Sequence, residues 1–368
     1  MAVNVKKKVT LFTDSELKWH GNIDYRVDDE RTLSFNKDKV TMFVNGAPNV
    51  INEANYASDL ITDSTYTKYD IVPSDVVVMT IIFKLGICSI VDVRRISDYL
   101  NAVHDKVMVG KDFESRIINL CKCGLCFCYR FKDIYGGNKE LYSLTRAGNS
   151  FVYHQNSKLS ASGGAFSNRY DADFSFYNLY EKLKYAEASK AISTLIRYYK
   201  DGVKYKVNSN FYDKVTRESH VTYGFFNATV DDVEKYIVIE PWKVSYDECT
   251  FVNETVRGDF VSYSTYADKR IRALKRIIQS QPSKYQDGTN DNFKVLFVCE
   301  DEGSVEDLLY RLDAFENNEK ETVLVTSSYI FSAVNILENK IFYRFEDSEL
   351  VNCPFCIDFV ELISMSET

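Results

Sequence analysis

The chain has no run of about 18 consecutive apolar residues, the length a membrane-crossing helix requires. Proline and glycine are scarce, at 5 and 15 of 368 residues, which excludes collagen-like, Pro-rich or Gly/Ser-linker architectures. The four histidines, at positions 20, 104, 154 and 220, are scattered, and none falls into a nucleophile–His–carboxylate pattern. No phosphate-cradling loop is present: Gly136-Gly137 and Gly163-Gly164 lack both the Lys-Ser/Thr ending and the strand-to-helix context. The opening MAVNVKKKVTLFTD lacks an apolar core before a small-residue cleavage site, so no secretory signal is expected. Nine cysteines, an odd number, then imply reduced thiols in a cytoplasm rather than a disulfide framework. There is no internal repeat.

What is present is length for two or three domains, 45% hydrophobic content and a net charge of −8. Tyr and Phe, at 26 and 24, suit aromatic-rich sheets. The most legible stretch runs from Pro73 to Gly148. Pro73 and Ser74 start a helix whose apolar stripe is Val77, Val78, Ile81, Ile82 and Leu85, stopped by Gly86. Ser89 caps a second helix with Val93, Ile96 and Leu100 inward. Asp112 to Cys121 makes a third, burying Phe113, Ile117, Leu120 and Cys121, with Gly124 just past its end. LCFCYRF and KELYSLT alternate around Gly136-Gly137-Asn138, which predicts a hairpin. Three helices and a hairpin in that order predict a winged helix-turn-helix.

In such a fold the third helix enters the major groove and the hairpin lies against the backbone. The expected DNA-binding residues are Lys111, Ser115, Arg116, Asn119 and Lys122 on the helix side, with Lys132, Asn138 and Lys139 on the hairpin. Residues 73–148 hold 11 Lys and Arg against 8 Asp and Glu, net +3 on a negative chain, as a phosphate-binding surface requires. A palindromic site would call for a homodimer. Many winged helices, however, dock proteins instead of DNA.

On either side of this stretch the patterning is different. Residues 1–72 read as a β-rich extension with strands at Val3–Phe12, Thr32–Phe35 and Val40–Val44. It either packs on the winged helix (73–158) or reaches a partner. From 159 to 368 strands alternate with helices, predicting a mixed α/β domain. Expected strands are Gly164–Ser167, Phe174–Leu179, Val221–Phe226, Tyr236–Glu240, Asp259–Tyr263, Phe293–Cys299, Thr322–Thr326 and Lys340–Phe345. Expected helices are Glu181–Lys200 (burying Leu183, Ala186, Ala191, Leu195 and Tyr198), Ala267–Gln279, and Val305–Phe315 capped by Ser304. Residues 300–368 carry 4 Lys and Arg against 16 Asp and Glu, net −12, a surface that repels DNA or offers itself to a basic protein partner.

Leu141, Tyr142, Leu144, Thr145 and Gly148, then Ser160 and Gly163, then Phe176, Tyr177, Asn178 and Glu187 resemble the replication-relaxation family of plasmids and conjugative elements. The resemblance implies a DNA-binding winged helix joined to a restriction-endonuclease-like domain, acting in replication, transfer or transcriptional control of a mobile element. An active nuclease of that kind needs an Asp and a Glu-x-Lys on neighbouring strands to hold Mg²⁺ and activate water. Here the nearest set is Glu240 and Lys243 with Asp259 (or Asp232). Glu240 and Lys243 are three apart, which turns strand side chains to opposite faces, and Pro241 interrupts the ladder. The α/β domain is therefore expected to be non-catalytic and without a cofactor, with a metal-dependent nuclease or relaxase and a protein-interaction scaffold as alternatives. A Zn²⁺ alternative rests on Cys121, Cys123, Cys353 and Cys356, four thiolates suited to a tetrahedral site. Cys126 and Cys128 share one strand face and suit a core.

Overall fold

The computed structural model describes residues 41–43, 71–104, 109–122, 125–132, 138–145, 148–149, 151–152, 176–198, 203–212, 219–230, 233–243, 251–252, 260–261, 263–280, 293–300, 302–328, 331, 341–346 and 349–353. The expected strands before Val40, the one at Gly164–Ser167, and Gly124 lie outside these. The protein is mixed α+β, with none of its described helices long and apolar enough to cross a membrane.

Strand β1 (Thr41–Phe43) is followed by α1 (Pro73–Leu85), β2 (Ile87–Cys88), α2 (Ile90–Val103), α3 (Phe113–Lys122), β3 (Cys126–Lys132) and β4 (Asn138–Leu144). The local chemistry sets these boundaries. Pro73 fits the first turn of α1, where no N–H partner is needed, and the Asp75 carboxylate accepts the Val72 N–H at 2.9 Å. Gly86 ends the helix at φ 75°, a conformation open to glycine, and its N–H donates to the Ile82 carbonyl at 2.8 Å. Ser89 and Asp92 cap α2 reciprocally: Asp92 N–H donates to Ser89 Oγ at 3.3 Å, and Ser89 N–H to Asp92 Oδ2 at 2.9 Å. Strands β3 and β4 form an antiparallel hairpin from Cys126↔Leu144 to Lys132↔Asn138, β2 pairs with β4, and β1 adds to the far edge of β3. The 1–72 extension thus contributes a strand to this unit, giving the order β1-β3-β4-β2.

The second unit begins with α4 (Phe176–Leu195), which runs on as a short 3₁₀ turn, Ile196–Tyr198. The strand expected over Phe174–Leu179 is not formed; from Phe176 that stretch is the first turn of α4, its short aromatic run being ambiguous between the two periodicities. Strands β5 (Lys204–Tyr212), β6 (Ser219–Val230) and β7 (Val233–Trp242) form an antiparallel meander. Two two-residue strands, β8 (Phe251–Val252) and β9 (Phe260–Val261), pair with each other. Helix α5 (Tyr263–Gln279) leads to β10 (Phe293–Cys299), α6 (Glu302–Leu312) and the short α7 (Asn317–Lys320) to β11 (Val323–Ser327), and β12 (Phe342–Glu346) and β13 (Glu349–Cys353) close the edge. Ser304 therefore lies inside α6 instead of capping it. The seven strands order as β13-β12-β11-β10-β7-β6-β5, with β7, β10 and β11 parallel. β10 is buried at every position, as its continuous apolar run predicts. Pro241 stays within β7: the β6 ladder has ended at Gly224↔Ile239, while β10 continues in register to Cys299↔Trp242.

Helix α4 covers one face of the large sheet, and α5 and α6 cover the other. Its small residues let α4 approach closely. Gly224 lies beneath Ala188, and a Cβ there would sit 3.0 Å from the Ile239 Cβ and 3.2 Å from the Ala188 Cβ. Gly224→Ala is expected to lower unfolding free energy by about 1–2 kcal/mol through overpacking, readable as a shifted urea midpoint with unchanged slope. On its other side α4 meets the first unit. Ser189 Oγ donates to the Leu85 carbonyl at 2.9 Å, Ser193 Oγ to Asp92 Oδ1 at 2.7 Å, and Arg95 to Thr194 Oγ1 at 3.1 Å. One apolar cluster consequently runs from Val78, Ile82 and Ile117 through Leu195 to Ile239 and Leu296, across the boundary expected at 158/159.

Candidate nucleic-acid interface

Helix α3 buries Phe113, Ile117, Leu120 and Cys121 against α1 and β3. Lys111, at its start, together with Ser115 and Ile118 is exposed, and Asn119 is half-buried beside them. These positions recur at helical spacing and form one outward stripe. Lys122 ends the helix on the same side of the wheel. Lys132 and Asn138 are the last register pair of the hairpin, and Lys139 pairs with Phe131. Of the expected DNA-binding set, Ser115 and Asn119 thus share one side of α3 with Lys111 just before it, and the hairpin positions fall at the open end of the β3–β4 ladder.

Arg116 lies elsewhere. Its guanidinium turns back to α1, where Nε donates to Asp75 Oδ1 at 3.0 Å and NH2 to Oδ2 at 2.5 Å. Asp75 is fully buried. Arg116 therefore neutralises a core carboxylate and joins α3 to the start of α1, and is not presented outward as a base-reading side chain. Glu114 is held by Arg94 of α2 in an exposed ion pair. Ile118, 48% exposed, was not among the expected contacts. An apolar side chain on such a stripe can meet a thymine methyl, and its signal was an isoleucine off the buried period.

The positions considered for nuclease chemistry are held in separate buried ion pairs. Glu240 on β7 is wholly buried, and Arg270 of α5 donates to both its oxygens at 2.9 and 2.5 Å. Lys184 of α4 reaches Oε1 at 3.4 Å while standing 4.2 Å from the centre of the Tyr223 ring. Burial works against the Arg270 charge, but Glu240 outweighs it and holds the guanidinium well above its ordinary range. Lys243, just beyond β7, pairs with Glu300 at 2.8 Å. Asp259 lies outside the described residues.

Near Lys243 is a second polar group. Burial raises the Glu187 carboxyl, yet Lys190, Lys243 and the Ser328 hydroxyl more than offset this and hold it below the usual carboxylate range. Lys190 donates to Ser328 Oγ at 2.9 Å. These groups sit where β7, β10 and β11 end, the side of a parallel sheet that commonly carries functional groups. Each carboxylate there faces a cation or hydroxyl, so the centre is charge-balanced. Sequence reading raised Glu187 only through the resemblance, and Lys184 and Arg270 not at all; neither lies beside Glu240 in the chain.

Cys121 and Cys353 are buried apolar packing on α3 and on β13 respectively, while Cys123 and Cys356 lie outside the described residues. Among the described residues no group of three or more His, Cys, Asp or Glu is arranged to hold a metal ion.

Fold and site together define a mixed α+β protein in which α3, with an exposed row of side chains, and a β-hairpin belong to one unit and a seven-stranded sheet with buried ion pairs to the other. In comparisons with protein-family models, curated proteins and solved structures, nothing matches the chain.

Proposed function

We propose that this protein binds double-stranded DNA in the manner of a winged helix-turn-helix, with α3 in the major groove and the β3–β4 hairpin against the backbone. The observation that carries the reading is the outward row formed by Lys111, Ser115, Ile118 and Asn119, flanked by exposed Asp112 and by Glu114, whose charge Arg94 offsets. The order helix–strand–helix–helix–hairpin, with β2 pairing the inner edge of β4, supports it. So does the net charge of +3 over residues 73–148. Lys111 and Lys122 contact phosphates, Ser115 and Asn119 approach base edges, and Lys132, Asn138 and Lys139 follow the adjoining backbone. The α/β unit acts as the non-catalytic body that fixes this edge. The resemblance to the replication-relaxation family is the support for a role in replication, transfer or transcriptional control of a mobile element.

The test is salt-titrated binding to duplex fragments of the host replicon. Lys111→Ala is expected to weaken binding across all sequences and to reduce the log–log salt slope by about 1, the loss of one phosphate contact. Asn119→Ala is expected to cost about 1–3 kcal/mol at the specific site only. Salt-independent retention, or retention unchanged in both variants, would sink the reading.

A further inference from the structure

Helix α5 has a polar face that the DNA reading does not use. Thr265, Lys269, Arg272 and Arg276 are all exposed, and their spacing of four, three and four residues places them along one ridge. The nearest acid, Asp268, is held at the margin of that ridge by Arg311 of α6. Glu306 and Tyr310 of α6 are exposed, as are Asp313 just past its end, with Lys320 at 3.9 Å on one side of it, and Glu316 immediately before α7. Tyr310 is 79% exposed, the most open large aromatic among the described residues.

The two ridges belong to one surface. Helices α5 and α6 lie on the same face of the large sheet over one apolar cluster, and Arg311 bridges them through Asp268 and the Ser264 carbonyl. A ridge with three cations therefore runs beside a ridge with three carboxylates. Such a face is poorly suited to phosphate, because the acidic ridge repels what the basic one attracts. It suits a copy of itself. A two-fold axis lying along the groove between the ridges sets each basic ridge on the partner's acidic one, the isologous arrangement in which every contact is made twice. Tyr310 would then be enclosed between the charged rows, where buried aromatic anchors contribute most to association.

We infer that this protein forms a two-fold homodimer through α5 and α6, Lys269, Arg272 and Arg276 of one copy facing Glu306, Asp313 and Glu316 of the other. The experiment is the mass of the full chain by sedimentation equilibrium without DNA, so its outcome is separate from that of the DNA-binding reading. The wild type is expected to dimerise, at least tenfold more weakly at about 500 mM than at about 50 mM salt because screening removes the complementarity. The triple variants K269E/R272E/R276E and E306K/D313K/E316K are each expected to be monomeric, with unchanged circular dichroism. Mixed, they are expected to form a heterodimer, since one copy is then acidic on both ridges and the other basic on both. A monomeric wild type, variants that keep the wild-type mass, or a mixture that stays monomeric would each overturn the inference. So would loss of DNA retention by the first variant with its dimer intact, which would make α5 a phosphate contact.

Discussion

Glu240→Ala is expected to lower the unfolding free energy by about 3–5 kcal/mol, the largest effect of any single substitution considered for the α/β unit. Arg270 and Lys184 both end on this carboxylate, and Glu240 has no exposed surface. Its removal leaves two cations together in a site lined by Tyr223, Tyr266 and Trp242, whose ring faces supply only part of the lost attraction. Glu240→Gln preserves shape but not charge and is expected to fall between alanine and wild type. Combining Glu240→Ala with Lys184→Met removes one stranded cation and should return part of the loss. Urea denaturation followed by far-UV circular dichroism measures all three. If Glu240→Ala left stability unchanged while abolishing Mg²⁺-dependent nicking of supercoiled DNA, Glu240 would be a catalytic ligand and its placement as a structural centre would be wrong.

The second large effect is at Arg116. Arg116→Ala is expected to cost about 3 kcal/mol, because it leaves the Asp75 carboxylate buried with only the Val72 N–H as a described partner besides the lost guanidinium. Arg116→Lys is expected to recover little, since an ammonium cannot reproduce the two-point fork. In the double variant Arg116→Ala/Asp75→Asn the stranded charge is gone, and a double-mutant cycle should return a coupling of about 1–3 kcal/mol. A DNA-contact role predicts the opposite pattern: full stability and weakened binding. Any loss of DNA retention in Arg116→Ala is therefore to be compared with that in Asp75→Asn, which touches no outward residue.

Where side chains speak to near neighbours in the chain, the sequence was sufficient. Ser89 with Asp92, Pro73 before its apolar run, and Gly86 after Leu85 mark the helix ends, because capping is chemistry within four residues. The continuous run Phe293–Cys299 likewise identified a strand buried on both faces. Other features were illegible for physical reasons. β13 is short and carries no strong period, whereas β5 does alternate, at Tyr205, Val207 and Phe211 with Ser209 the one break, and was legible though not expected. The first turn of α4, Phe176–Tyr180, is an aromatic run that a strand would also accept. Arg116 has the residue type of a base reader, and its true partner stands 41 positions earlier in the chain. Glu240 resembled a degenerate catalytic acid until Lys184 and Arg270, 56 and 30 positions away, were seen to close on it. Ionic partners across that range leave no periodic trace in one sequence.

Helix α4 presses the large sheet with one flank and the caps of α1 and α2 with the other, through Ser189 and Ser193. A rod shared in this way makes the two halves thermodynamically inseparable: fraying of either one strips solvent protection from the other. The molecule should melt as one cooperative block, and whichever way its outer helix points, that heading is set by the sheet behind it.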